Sequence, residues 1–124
     1  MGYRFTKEGA NAVLKSWAEE YLIYAPKRMA GYGAFSDTDS IRYASVETVD
    51  EIEFEQKSNF SFKEILLPLS QTLFYFTEDQ VREAEGAKKG AIILLRSCDL
   101  HSVKRLDEIY LKNGFEDYYY KRIR

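Results

Sequence analysis

Gly90-Ala-Ile-Ile-Leu-Leu-Arg-Ser-Cys-Asp-Leu-His-Ser-Val-Lys-Arg-Leu-Asp-Glu-Ile-Tyr-Leu111 changes periodicity once, and the change decides the fold class. Residues 91–95 are an unbroken apolar run, the pattern of an interior parallel strand. Beyond it Leu100, Val103, Leu106, Tyr110 and Leu111 recur at helical spacing, and Asp99 stands where it can cap a helix over 100–112. Asn113-Gly114 then ends that helix. A strand feeding an amphipathic helix is the unit of layered α/β architectures. The expected fold is therefore α/β (or α+β): a mixed β-sheet with covering helices in a single compact domain.

Working outward, Thr6 caps a first helix to about residue 20. Ala10, Val13, Leu14, Trp17 and Tyr21 form its apolar face, with Trp17 as the largest anchor. A strand over 21–25 follows, stopped by Pro26. Gly31 and Gly33 bracket Tyr32 in a turn or irregular segment. Phe35 and residues 41–43 are expected to pair as short strands across 36–40. Ile52 and Phe54 alternate with Glu51, Glu53 and Glu55, which predicts a half-buried strand within 48–56. Ser61 and Glu64 have capping-box spacing, with Phe60 and Ile65 at staple positions, and Pro68 stops the helix they start. Residues 72–77 read as a largely buried strand. Thr77 and Gln80 repeat the capping-box spacing, which predicts a short helix to about residue 85 and a βαβ crossover into 91–95. Residues 115–123 read as a turn leading into a last strand. There is no internal repeat and no low-complexity segment.

The 124 residues are enough for one domain with a real core. Hydrophobic content of 45% and charged content of 31% are ordinary for a globular chain. A net charge of −2 argues against nucleic acid as the main partner. No apolar run approaches the ~20 residues that span a bilayer, so no membrane partner is expected. The N-terminus shows no apolar signal core. A single cysteine forms no internal disulfide, which makes a reducing cytoplasm the expected location. Ten Tyr and eight Phe, clustered at 74–76 and 118–120, suit pleated sheets or a Tyr-rich docking surface.

The chemistry-bearing residues gather at Ser97, Cys98, Asp99 and His101. One Cys and one His fall short of a zinc site, which needs three or four protein ligands. They fall further short of an iron–sulfur cluster, which takes about four thiolates. A nucleophilic Cys98–His101 pair is conceivable just ahead of a helix N-terminus, or a flavin at the 97–99 turn. However, His101 projects with Arg105, Glu108 and Lys112, and a buried structural cysteine is the expected state of Cys98. The turn has no glycine and matches no phosphate-binding loop. Asp37 and Asp39 begin like an EF-hand loop, but Ile41 and Arg42 stand where an oxygen ligand and Gly are required. Lys27 and Arg28 are expected to be solvated charges. Asp107 falls inside the apolar stripe of the 100–112 helix and needs a partner such as Lys104 or Arg96, either in a rim salt bridge or in a buried pair that orients a neighbouring domain or cofactor-bearing loop.

Several segments together carry a family resemblance. They are Lys27 after Ala25-Pro26, the 35–43 segment, Phe62-Lys-Glu-Ile-Leu-Leu-Pro68 with Gln71-Thr-Leu-Phe74, Arg96-Ser-Cys-Asp-Leu-His101 and the 104–114 run. The combination resembles the iron–sulfur electron-transfer subunit of anaerobic sulfite reductase and, more distantly, the beta subunits of sulfhydrogenase-type nickel–iron hydrogenases. The resemblance implies that residues 1–124 are the N-terminal domain of a longer electron-transfer subunit. In that family a flavin-bearing subunit takes electrons from NADH. The electron-transfer subunit relays them through [4Fe-4S] clusters to a siroheme subunit that reduces sulfite to sulfide. The cluster cysteines belong to a downstream ferredoxin-like region, so no cofactor and no cluster ligand is carried over to any position here. Implied partners are the flavin and siroheme subunits. The segment itself is expected to be a scaffold and docking domain without turnover. The alternatives are a flavin- or thiol-dependent redox domain at the Ser97-Cys98-Asp99 turn, and a non-catalytic regulatory or interaction domain.

Overall fold

Thr6 stays extended and its hydroxyl accepts the amide of Gly9 at 3.1 Å, so helix α1 begins as the sequence predicts and spans Lys7–Ala18. The computed structural model describes residues 2–86 and 88–124. The chain forms two compact units: Met1–Phe62 with Lys89–Arg96, and Lys63–Lys88 with Ser97–Arg124. The α/β class, the mixed sheet and the covering helices are as read from the sequence.

The first unit is built on strand β1, Tyr21–Met29. It pairs antiparallel with β2, Ser40–Ser45, and parallel with β5, Gly90–Ile93, in the order β2-β1-β5. The strand does not stop at Pro26. The Pro26 carbonyl accepts the Glu53 amide at 2.7 Å, on the side of β1 where Tyr24 accepts from Leu94. The missing N–H therefore faces away from β2, past the last residue paired with β5, and no ladder bond is lost. Ile23 and Ala25 are buried on one face with Leu14 of α1 and Val46, and Ala18, Val49, Ile52 and Leu94 pack round them. On the other face Pro26 lies opposite Tyr43, whose ring meets buried Phe62 edge-on.

Several expectations for this unit are corrected. Trp17 is 41% exposed and is not the anchor, because the line of contact runs through Leu14 and Ala18 and leaves Trp17 on its flank. Phe35 forms no strand; it lies exposed in the β1–β2 connection, and β2 pairs with β1. Residues 48–56 form a 3₁₀ turn, Val49–Glu51, and a single bridge from Ile52 to Lys27. The Glu51 carboxylate, paired with Lys27, accepts the amides of Glu47 and Thr48, and these local bonds curl the chain where alternation predicted a strand. Strand β5 is an edge strand, only half-buried, and not interior.

In the second unit helix α2, Lys63–Leu66, ends before Pro68 as expected. Strands β3, Phe74–Phe76, and β4, Val81–Glu83, form an antiparallel hairpin. The expected helix over 77–85 is absent, and so is its βαβ crossover, because Thr77 donates its amide to the Gln80 carbonyl across a β-turn. The same Thr-x-x-Gln spacing serves either structure. Strand β3 is exposed along its length, contrary to the buried reading. Helix α3 spans Ser97–Leu111, starting two residues before the expected cap, and Gly114 follows it at φ +97°. Residues 115–123 form helix α4, Tyr118–Ile123, and not a strand. Asp117 caps it by accepting the Tyr120 amide at 2.7 Å.

The β1–β2 connection tests the packing. Gly33 donates its amide to the Thr38 carbonyl at 2.8 Å, and a Cβ on Gly33 would lie 2.7 Å from the Thr38 carbonyl carbon. Gly33→Ala is expected to cost about 1–3 kcal/mol in denaturant unfolding; an unchanged midpoint would mean that the loop is looser than this.

Candidate functional site

Helix α3 carries every residue of the candidate turn. Ser97, Cys98 and Asp99 open its first turn and His101 follows two residues on. Cys98 is exposed and not a core cysteine, since the helix begins at Ser97 and carries the thiol on its outer surface. His101 is exposed as well, and no hydrogen bond joins the two side chains. The helix buries Val103 and Leu106 instead. Among the described residues no three His, Cys, Asp or Glu side chains gather where they could hold a metal ion. A [4Fe-4S] cluster takes about four thiolates, and a chain with one cysteine does not fit it.

Asp107 has the partners that a carboxylate in an apolar stripe requires, but they are not Lys104 or Arg96. Its Oδ1 accepts from the Tyr120 hydroxyl at 2.8 Å and from Arg124 Nε at 2.9 Å, and its Oδ2 from Arg124 Nη2 at 3.3 Å. Lys104 is exposed on α3. Arg96 is occupied in the first unit, donating to the backbone carbonyls of Phe54 and Gln56. The Tyr120 ring stacks on Tyr110 at 4.9 Å between centroids, and the Asp117 amide donates to the Tyr110 carbonyl at 2.7 Å. Together these contacts lash α4 to α3.

The electrostatics follow from that geometry. The Arg124 guanidinium holds the Asp107 carboxyl below the usual carboxylate range, and the Tyr120 hydroxyl adds to this, while burial opposes it. Burial, with Asp107 as acceptor, pushes the Tyr120 phenol up to about 12. The Asp107 hydrogen bond raises Arg124 in turn. The Tyr120 hydroxyl and the Arg124 guanidinium both donate to the Asp107 carboxylate, so the buried phenol and the carboxylate are each paired. The cluster is a structural clip. Sequence reading singled out Asp107 but missed Tyr120 and Arg124. Asp117 ahead of a run ending in Lys121 and Arg122 is a helix signal that would have located them.

In the first unit Lys27 and Arg28 are paired and not simply solvated. Lys27 bonds Glu51, and Arg28 reaches Glu53 at 3.0 Å and Asp39 at 3.7 Å. Asp39 also accepts the Gly31 amide at 3.0 Å, from eight residues back across the β1–β2 connection. Lys27 holds the Glu51 carboxyl below its ordinary range, and the Gln56 amide and Arg28 do the same for Glu53.

The clip makes two titration predictions. Tyr120 is raised, so its share of stability is complete below the free phenol value of ~10 and is lost as pH rises toward about 12. Asp107 is lowered, so its share is present above the unfolded value of ~3.9 and is lost as pH falls through the folded value. In ultraviolet titration one tyrosine should ionise near 12, and Tyr120→Phe should remove that step. The same variant should cost about 2 kcal/mol. A tyrosine titration with no late step would refute the clip.

Among the described residues no helix is long and apolar enough to cross a membrane. No family model matches the chain, and no solved structure matches it. Over 73% of its length it is similar, at 27% identity, to sulfhydrogenase 2 subunit beta of Pyrococcus furiosus. The chain spans 28% of the length of that relative.

Proposed function

We propose that this chain is a scaffold and docking domain in an electron-transfer subunit of a multi-subunit redox complex. The observation that carries the proposal is the similarity to a sulfhydrogenase beta subunit along most of the chain. At finer grain the motif combination supports the iron–sulfur subunit of anaerobic sulfite reductase. In that reading electrons pass from an NADH-oxidising flavin subunit through [4Fe-4S] clusters held elsewhere in the full-length polypeptide. They end at a siroheme subunit that reduces sulfite to sulfide. The chain's own part is to position and dock. Its side-chain networks, at Asp107 and along β1, are closed on themselves.

A thiol-redox reading rests on one observation, the exposure of Cys98 in the first turn of α3. Alkylation separates the two. Under the docking reading Cys98 reacts at the rate of an exposed unactivated thiol, and His101→Ala leaves that rate unchanged. A fast reaction near neutral pH that His101→Ala slows would favour the thiol reading.

Affinity purification of the full-length polypeptide is expected to bring down a flavin-bearing and a siroheme-bearing subunit. Removing residues 1–124 should abolish that association while leaving the iron content of the remainder intact. Sulfide formed from NADH and sulfite by the purified segment alone would overturn the proposal.

A further inference from the structure

The β3–β4 hairpin carries an aromatic and aliphatic surface that the rest of its unit leaves open. The register places Phe74 opposite Glu83 and Phe76 opposite Val81, so these four side chains share one face. At the base of that face the Glu83 carboxylate accepts from Tyr118 at 2.9 Å and from Arg122 at 2.9 Å, which anchors the hairpin to α4. Toward the tip Phe76 is 80% exposed and Val81 is 75% exposed. A two-stranded hairpin is marginal by itself, and adjoining exposed aromatics on one are the mark of an interaction surface. The turn at the apex adds charge of one sign. Glu78 and Asp79 make no ion pair or hydrogen bond with any described residue.

We propose that this hairpin tip docks into an apolar groove rimmed by lysine or arginine on a different protein subunit. The proposal rests on the docking reading above and names the chemistry of the partner. Two unpaired carboxylates beside apolar side chains favour a basic rim. They repel nucleic acid and anionic membrane alike. A second copy offers them less, because Arg82 on its hairpin and Arg122 against it are already paired, with Glu85 and Glu83. A different protein with free basic groups satisfies both the apolar strip and its acidic apex.

The test uses the full-length protein in its own cells, with Phe76 replaced by the photoreactive benzoylphenylalanine. Irradiation should cross-link it to a redox partner subunit, within a peptide whose apolar residues are flanked by Lys or Arg. Glu78→Lys with Asp79→Lys should lower the cross-link yield at least fivefold while the circular dichroism stays unchanged. Cross-linking to a second copy, to lipid or nucleic acid, or to a peptide without basic residues would overturn the proposal. So would a yield indifferent to the charge reversal. An assembled complex without any cross-link from position 76 removes the hairpin as the docking element and leaves the functional reading standing. A wild-type protein that purifies with no redox partner removes both.

Discussion

Strand β1 must satisfy neighbours of opposite sense, and Pro26 sits in its middle without an amide hydrogen to give. The conflict is resolved by parity. Alternate residues of a strand direct both their N–H and C=O to the same side. Ile23 and Ala25 address β2, while Tyr24 and Pro26 address the other side. There the β5 ladder has ended at Tyr24, and only the Pro26 carbonyl is needed, to receive Glu53. Shifting the proline by one residue would turn its missing donor toward β2 and break a bond in the longest ladder of the sheet. The same parity sends Ile23 and Ala25 to the α1 face and Pro26 to the face of Tyr43 and Phe62. Both faces of β1 are thereby covered, although the sheet has only three strands.

The second unit depends on a different constraint. Asp107 cannot sit beside Val103 and Leu106 as an ion without donors. The last helix supplies them, with Asp117 fixing its start and Tyr120 and Arg124 reaching back one helical turn apart. An aromatic run with strong strand propensity becomes helical because only the helical spacing presents both donors to one carboxylate. Tyr118 and Arg122 on the same helix hold Glu83, so the hairpin is fixed by the element that satisfies Asp107.

What was legible in the sequence was what local rules determine. Thr6, Pro68 and Gly114 mark helix ends by chemistry that needs no partner. Asp107 was visible as a misfit because the stripe of α3 is defined within fifteen residues. The misreadings share a cause, in that a short pattern admitted two structures and a distant or backbone contact chose between them. Thr77 and Gln80 close a turn in place of a cap. The apolar run at 91–95 implied neighbours on both sides, yet strand order depends on pairing with Tyr21 and its successors, which no local window contains. Cys98 drew attention by being unique in the sequence, and uniqueness carries no information about exposure.

The pairing of Tyr21 with Gly90 also sets an order of assembly. Neither unit is continuous along the chain, because the first is completed by Lys89–Arg96 only after all of Lys63–Lys88 has been made. During synthesis α1, β1 and β2 leave the ribosome with the β5 side of β1 vacant, and they wait for a segment that lies beyond the hairpin. Closing so long a loop is entropically slow compared with forming the β1–β2 ladder. The nascent first half therefore passes through an interval in which an apolar strand edge is open to any chaperone or neighbouring nascent chain.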